Sequence, residues 1–404
     1  MKLLQINSVV NSGSTGRIAE DIGRVAISHG HQSYIAFGRG NRPSHSQLIR
    51  IGSKLDVYLH GMKSLLFDRH GFGSRAASMK FVEQIKEINP DIIHLHNLHG
   101  YYINIAVLFN FLVKFNKPIV WTFHDCWPFT GHCSHFEYEG CFKWKEQCSK
   151  CPKTRFYPKS LLIDNSRVNY VDKKAIFNKI SNLHIISPSK WLEKYVKESF
   201  LMSHPARTIH NGIDLNVFRV NGNDNVNHET HSIFNKPYII GVANVWSKRK
   251  GFSDFVELRV RIDKNINIVI VGLDTETVKK LPAGIIGLQR TESVQELANL
   301  YAKALCYVNP TYQDNFPTTN IEALACGTPV ITYNTGGSPE AVDEQTGRVV
   351  EKGDMNGLVH AINEVCAINR NIWRTHCRNR AEEHFDKDRQ FLEYLKLYEQ
   401  LLSK

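Results

Sequence analysis

The sequence predicts an α/β protein of two doubly wound domains, each a parallel sheet with helices on both faces, opening onto one cleft. Three observations carry that expectation. Short apolar, β-branched runs bounded by turn residues alternate with helical patterns along the chain, as parallel β-α units do. At 404 residues the chain is long enough for two cores. A polar stretch without apolar periodicity, residues 221–229, divides the pattern into two halves and reads as a linker.

The first half opens with "KLLQINSVV", a strand, and "NSGSTGRIAEDIG", a glycine loop leading into a helix with an apolar stripe at Ile18, Ile22, Val25 and Ala26. "DIIHLHN", "PIVWTFHD" and "HIISPS" give further strands. The longest apolar stretch, "YYINIAVLFNFLVKF", is interrupted by Asn104, Asn110 and Lys114 and is too short and polar to span a bilayer. In the second half "YIIGVAN", "INIVIVG", "LCYVNP" and "PVITYNT" are the strands. The tail reads as a helix with its stripe at Phe391, Leu395, Tyr398 and Leu402, N-capped within Asp386-Lys387-Asp388. The expected domains are 1–220, with a cysteine-rich insert at 126–152, then 230–375, then a closing helix within 376–404.

With 42% hydrophobic and 22% charged residues, the composition is that of a globular protein. A net charge of +11 favours anionic partners such as a nucleotide or a phospholipid surface. There is no basic run interleaved with aromatics, so a nucleic-acid partner is not expected. The start "MKLLQINSVV" lacks the form of a signal peptide, and the reading is cytoplasmic, with peripheral contact at the inner face of the plasma membrane.

In the segment "YQDNFPTTNIEALACGTPV" two carboxylates, Asp314 and Glu322, bracket seven uncharged residues between two strands. Thr318 or Thr319 is the expected N-cap of a helix that Gly327 ends before Pro329. A strand, loop and helix amino end together form an anion-binding device. Carboxylates beside it imply a ligand that carries both phosphate and hydroxyls. Gly13 and Gly16 permit close backbone approach after the first strand, and Arg17 adds a charge there. Lys248, Arg249 and Lys250 cluster after the first strand of the second half, suited to a pyrophosphate or to a solvated turn. Gly336 and Gly337 form another glycine turn. His94 and His96 share one face of a strand, with a spacing open to a metal, a structural or an acceptor-lining role.

These residues resemble the retaining GT-B glycosyltransferases of glycosyltransferase family 4 (glycosyl transferases group 1). The similarity runs over nearly the whole chain: Asp314 and Glu322 match the family's Glu-x7-Glu signature, followed by "IEALACGTPVI" and "TGGSPEAV", with "ISPSKWL" and "HNGIDLNVF" at the crossover. The resemblance implies two Rossmann-like domains, a C-terminal helix crossing back to the first, and a nucleotide-sugar donor. It implies sugar contacts for Asp314, a ribose contact for Glu322, and backbone contacts from Asn315, Phe316, Thr318 and Thr319. Arg249 and Lys250 are implied as the leaving-group pair in place of a catalytic metal, and His124 as a histidine beside the reacting sugar. Asp314 is one methylene shorter than the family's glutamate, Pro317 replaces a glycine, and Asn244 or Val245 stands where the family has arginine.

Cys133, Cys141, Cys148 and Cys151 lie within nineteen residues, and little else in the insert promises a core. A structural zinc is expected there, against reduced thiols or a redox pair. The insert also resembles one in colanic-acid-type enzymes of bacterial surface polysaccharides, which implies a lipid-linked glycan acceptor. A sugar-nucleotide epimerase on the same architecture and a zinc-containing nucleic-acid-binding protein are the alternatives.

Overall fold

The computed structural model describes residues 1–220 and 236–403; the expected linker at 221–229 lies outside the described residues. Two compact units form, Met1–His210 with Phe391–Lys404, and Asn211–Gln390.

The first unit carries β1 (Lys2–Asn7), β2 (Gln32–Phe37), β3 (Gln47–Arg50), β4 (Ile92–Leu95), β5 (Ile119–Thr122), β6 (Leu183–Ser187) and β7 (Ala206–Thr208). They lie in the order β3-β2-β1-β4-β5-β6-β7, each pair parallel. The second unit carries β8 (Tyr238–Val242), β9 (Asn267–Val271), β10 (Ile285–Leu288), β11 (Tyr307–Asn309), β12 (Val330–Tyr333) and β13 (Gly347–Val350). Their order is β10-β9-β8-β11-β12-β13, again parallel. In each sheet the strand order reverses once, between β1 and β4 and between β8 and β11. Loops leaving those strands diverge, and ligands of doubly wound sheets bind at that point.

Both faces of each sheet are covered, which is why the strands are apolar without a polar alternation. Leu4, Ile93, Ile119 and Trp121 enter one core, while Leu3, Ile92 and Val120 enter the other. The second sheet divides the same way, with Ile240, Val269 and Tyr307 on one side and Ile239, Ile268 and Val308 on the other. β2, β3, β7, β10 and β13 did not stand out in the sequence; β3 and β7 are short edge strands with mostly exposed or half-buried residues.

Residues 211–220 pack with the second unit: Ile213 and Phe218 join its core, and Ile213 pairs with Asp386. The last helix, Lys387–Leu402, is N-capped as read, Asp386 Oδ1 accepting from Arg389 N at 2.9 Å. Its buried stripe is Phe391, Tyr394, Leu395, Leu397, Tyr398 and Leu401. Leu401 rather than Leu402 closes the stripe. These residues complete the core of the first unit that contains Leu3, Ile22 and Ile186.

Tyr398 OH also bonds His94 Nδ1 at 2.6 Å inside that core. Replacing Tyr398 by Phe leaves a buried acceptor unpaired, at a cost of about 1–3 kcal/mol. The expected result is a melting temperature lower by several degrees (about 2–4 °C per kcal/mol). Wild-type melting of Tyr398→Phe would show that the contact contributes nothing.

Candidate active site

In the second unit, the loops after β8 and β11 meet because Ile240 and Tyr307 are register partners. Lys250, in a short turn at Lys248–Lys250, forms an ion pair with Asp314 in the loop after β11. Both side chains are roughly one-fifth exposed. Arg249 Nη1 donates to the Gln313 carbonyl at 2.6 Å, and Arg249 O accepts from Tyr312 N at 2.8 Å. The two loops are thus stitched by backbone as well as by charge.

Two glycines make this approach possible. Gly251 has φ +75°, and a Cβ there would lie 2.1 Å from Pro310 O; Gly336 has φ +57°, and its Cβ would lie 1.7 Å from Asp314 O. Neither position admits a side chain without displacing the loop that carries Asp314.

Asp314 Oδ1 accepts from Asn315 N at 2.9 Å, and Asn315 and Phe316 are buried. The helix after this loop is Thr318–Ala325, and its N-cap is Pro317, not Thr318 or Thr319. Proline supplies the fixed extended conformation an N-cap needs, and the Thr319 hydroxyl instead accepts from Tyr307 OH at 2.8 Å. Among the described residues no side chain caps this helix, which leaves its first N–H groups to a ligand or water. Glu322 is buried on the helix and accepts from Tyr301 OH at 3.2 Å. Asn244 is exposed in the loop after β8.

In the first unit, Gly16 is buried against Val9 and Asn11 in the helix Gly13–Ser28, and Arg17 is exposed beside it. His124 follows β5 and bonds His96 at 3.1 Å (Nε2 to Nδ1). His96 Nε2 lies 3.0 Å from Gln5 Oε1, and Gln5 Nε2 donates to Ala19 O at 2.8 Å. These contacts fix the tautomers. Gln5 Oε1 is an acceptor, so His96 Nε2 carries the proton and His96 Nδ1 accepts from His124 Nε2–H. A neutral His124 then has an unprotonated Nδ1. Burial lowers the His96 pKa well below its ordinary value and brings His124 to about 4, so both are neutral near pH 7. His94 and His96 are fully buried and hydrogen-bonded within the fold, a structural role. Asp125 was not singled out in the sequence. Burial raises its pKa, but the His99 imidazole bonded at 2.8 Å outweighs this and the group sits at about 2.

The structural zinc expected on Cys133, Cys141, Cys148 and Cys151 is not supported. Among the described residues no group of three or more His, Cys, Asp or Glu side chains is arranged to hold a metal ion. Burial pushes the Cys148 thiol up to about 12, and a hydrogen bond with Cys133 raises Cys151. The insert has the core it seemed to lack: Phe129, Phe136 and Trp144 are buried and packed together, and Phe136 and Trp144 meet Tyr195. Lys173 lies 3.5 Å from the Trp127 ring centre and donates to the Trp127 and Thr130 carbonyls; burial lowers its pKa to about 7.

Two doubly wound parallel units of this kind form the GT-B fold. Sucrose-phosphate synthase from Thermosynechococcus elongatus superposes with TM-score 0.72 at 19% identity, covering 100% of this chain and 99% of that one. The Anabaena protein HepE, solved in complex with UDP, gives 0.69 at 16% identity, covering 99% and 100%. The chain belongs to Glycosyltransferase Family 4, whose domain matches residues 15–217; the Glycosyl transferases group 1 domain matches 223–384. The putative colanic acid biosynthesis glycosyl transferase WcaC of Escherichia coli K12 is 26% identical over 378 residues, 89% of each chain. The capsular polysaccharide biosynthesis glycosyltransferase CapM of Staphylococcus aureus is 27% identical over 165 residues, 38% of this chain and 43% of that one.

The buried histidines set a pH dependence. His60 and His124 are lowered to about 4, and His70, His94 and His96 well below 6.5, each chiefly by burial. Between pH 6.5 and 4 the unfolded chain binds protons at these positions and the folded one does not. Stability therefore falls as pH drops through that window, by about 1.4 kcal/mol per pH unit per histidine. His132 has the opposite sign: burial lowers it, but the bond and charge of Asp68 raise it above 6.5, so it favours the fold at low pH. Burial also lowers His31 and His204, so seven histidines stand against one, and thermal melts should show a steep fall from pH 6.5 to 4.5. A flat profile would contradict the burial of these rings.

Proposed function

We propose that this chain moves a sugar from a nucleotide-sugar donor to a lipid-linked glycan, with retention and without a catalytic metal, in bacterial surface polysaccharide assembly. Its place would be the cytoplasm, at the inner face of the plasma membrane. The observation that carries this reading is the Lys250–Asp314 pair beside the amino end of the Thr318–Ala325 helix. Cations, N–H donors and a hydroxyl-accepting carboxylate stand together there, as a ligand with both phosphates and hydroxyls requires. The relatives' roles in colanic acid and capsule synthesis, and the UDP and UDP-glucose bound by HepE, support the same choice of substrates.

In this reading Lys250 and Arg249 face the diphosphate, with the first N–H groups of the helix. Asp314 accepts from sugar hydroxyls and Glu322 from the ribose diol. The bond from the anomeric carbon to the phosphate oxygen breaks first, giving an oxocarbenium-like sugar whose leaving group is held by fixed cations. The acceptor hydroxyl attacks on the same face and its proton passes to the departing phosphate. The resemblance assigns His124, neutral near pH 7, a place beside the reacting sugar.

The test is thermal stability of the purified chain against UDP-, GDP- and dTDP-sugars in the presence of a chelator. At a hundredfold excess over Kd the matching donor adds about 2.7 kcal/mol, and Glu322→Ala should lose most of that shift. Lys250→Ala should lower turnover about 10²–10³-fold. A shift with polynucleotide at moderate salt and none with any sugar nucleotide would overturn the reading. Conversion of the donor to its epimer without acceptor would assign the site to a different reaction.

A further inference from the structure

The helix Lys54–Phe67 turns part of its apolar surface outward, although Val57 packs on the core. Its buried side chains are the polar His60 and Ser64, whereas Leu55, Tyr58 and Leu59 are 64, 64 and 57% exposed. The spacing places those three on one solvent-facing stripe. The inner face is fixed by polar contacts: His60 Nε2 accepts from Gly71 N and Gly73 N, both at 3.1 Å, and Nδ1 bonds Ser74 Oγ at 3.0 Å. The apolar stripe has no comparable role in the fold.

A second apolar segment adjoins it. In residues 155–163, Phe156, Leu161 and Leu162 are 60, 55 and 72% exposed. Leu161 N donates to Leu65 O, and Asn165 Nδ2 to Phe67 O, each at 2.8 Å, so the segment is tied to the carboxyl end of the helix. Exposed apolar side chains gathered on neighbouring elements mark a site that is covered in use.

The charge around it identifies the cover. Residues 54–67 and 155–163 contain four cations, Lys54, Lys63, Arg155 and Lys159, and one carboxylate, Asp56. Asp56 is taken up by Ser53 N and Oγ at 2.8 and 2.7 Å, while all four cationic residues are exposed, Lys63 with its Nζ on the Phe72 carbonyl at 3.1 Å. A second copy of the chain on a two-fold axis would set these cations against their own equivalents. An anionic bilayer instead offers phosphates to the cations and an apolar boundary to the leucines and aromatics.

We infer that the outer face of the Lys54–Phe67 helix, with residues 155–163, docks the first unit on an anionic phospholipid membrane. The inference deepens the proposed function and rests on its lipid-linked acceptor. The surface leads to the proposed reacting side: Tyr157 OH bonds His99 Nδ1 at 2.9 Å, His99 Nε2 bonds Asp125 at 2.8 Å, and Asp125 adjoins His124. A membrane-borne acceptor would have its lipid in the bilayer and its glycan at this polar chain.

The experiment is co-sedimentation of the full chain with phosphatidylcholine vesicles, and with mixed phosphatidylglycerol and phosphatidylcholine vesicles. The two double variants are Leu55→Glu with Leu162→Glu, and Arg155→Glu with Lys159→Glu. Wild type should bind the mixed vesicles about tenfold or more tightly than the neutral ones, and lose that preference as salt rises. Each double variant should lose about tenfold in binding to the mixed vesicles, while keeping the wild-type melting temperature and oligomeric state. Wild type left in the supernatant with mixed vesicles, or variants that bind as wild type does, would overturn the inference. So would a wild-type dimer that the leucine variant turns into a monomer, since the patch would then be a self-contact. The donor-induced melting shift, measured without vesicles, stands apart: its absence sinks the transferase reading, and its presence beside failed vesicle binding sinks this inference alone.

Discussion

A parallel sheet covered on both faces leaves its residues one route to water, past the ends of its strands. That constraint organises both units. Each strand places alternate apolar residues in opposite cores, so polar groups collect where the strands stop. Between β8 and β11 they are Lys250, Asp314 and the bare start of a helix. At the ends of β4 and β5 they are His96 and His124. The two groups differ in chemistry because the loops differ, and coincide in position because the sheets are alike.

The same constraint explains the electrostatics. A polar side chain kept inside such a core must find a partner within hydrogen-bond reach, and one uncharged partner after another yields a chain with a single consistent tautomer. Gln5, His96 and His124 form one such chain. Tyr301 with Glu322 and Tyr307 with Thr319 are its counterparts in the second unit. These tyrosines brace the carboxylate helix from beneath, so its amino end is held by the core rather than by a capping side chain.

The fold was legible in the sequence because period and punctuation are local properties. The central strands, the helix stripes and the carboxylate segment all follow from neighbours a few residues apart. What stayed hidden depends on partners far along the chain. His96 meets His124 across 28 residues and His94 meets Tyr398 across 304, and no local pattern marks either pair. The core of the cysteine insert stayed hidden for a related reason. Its aromatics promised no core because their partner Tyr195 lies on the helix Lys190–Glu198. Pro317 was passed over as a cap because cap rules reward side-chain acceptors, whereas proline contributes conformation.

The last helix has a bearing on how the polypeptide is made. It covers the core face that contains Leu3, Ile92, Val120 and Ile186, yet it is synthesised after the whole second unit. At about 5–20 residues per second on the ribosome, the first unit spends roughly ten seconds or more with that face unsealed. Its nascent form is therefore an open-sided intermediate that is finished late, by a clasp made only after the second unit. An interruption in translation before residue 391 leaves the first unit with that apolar face open to water.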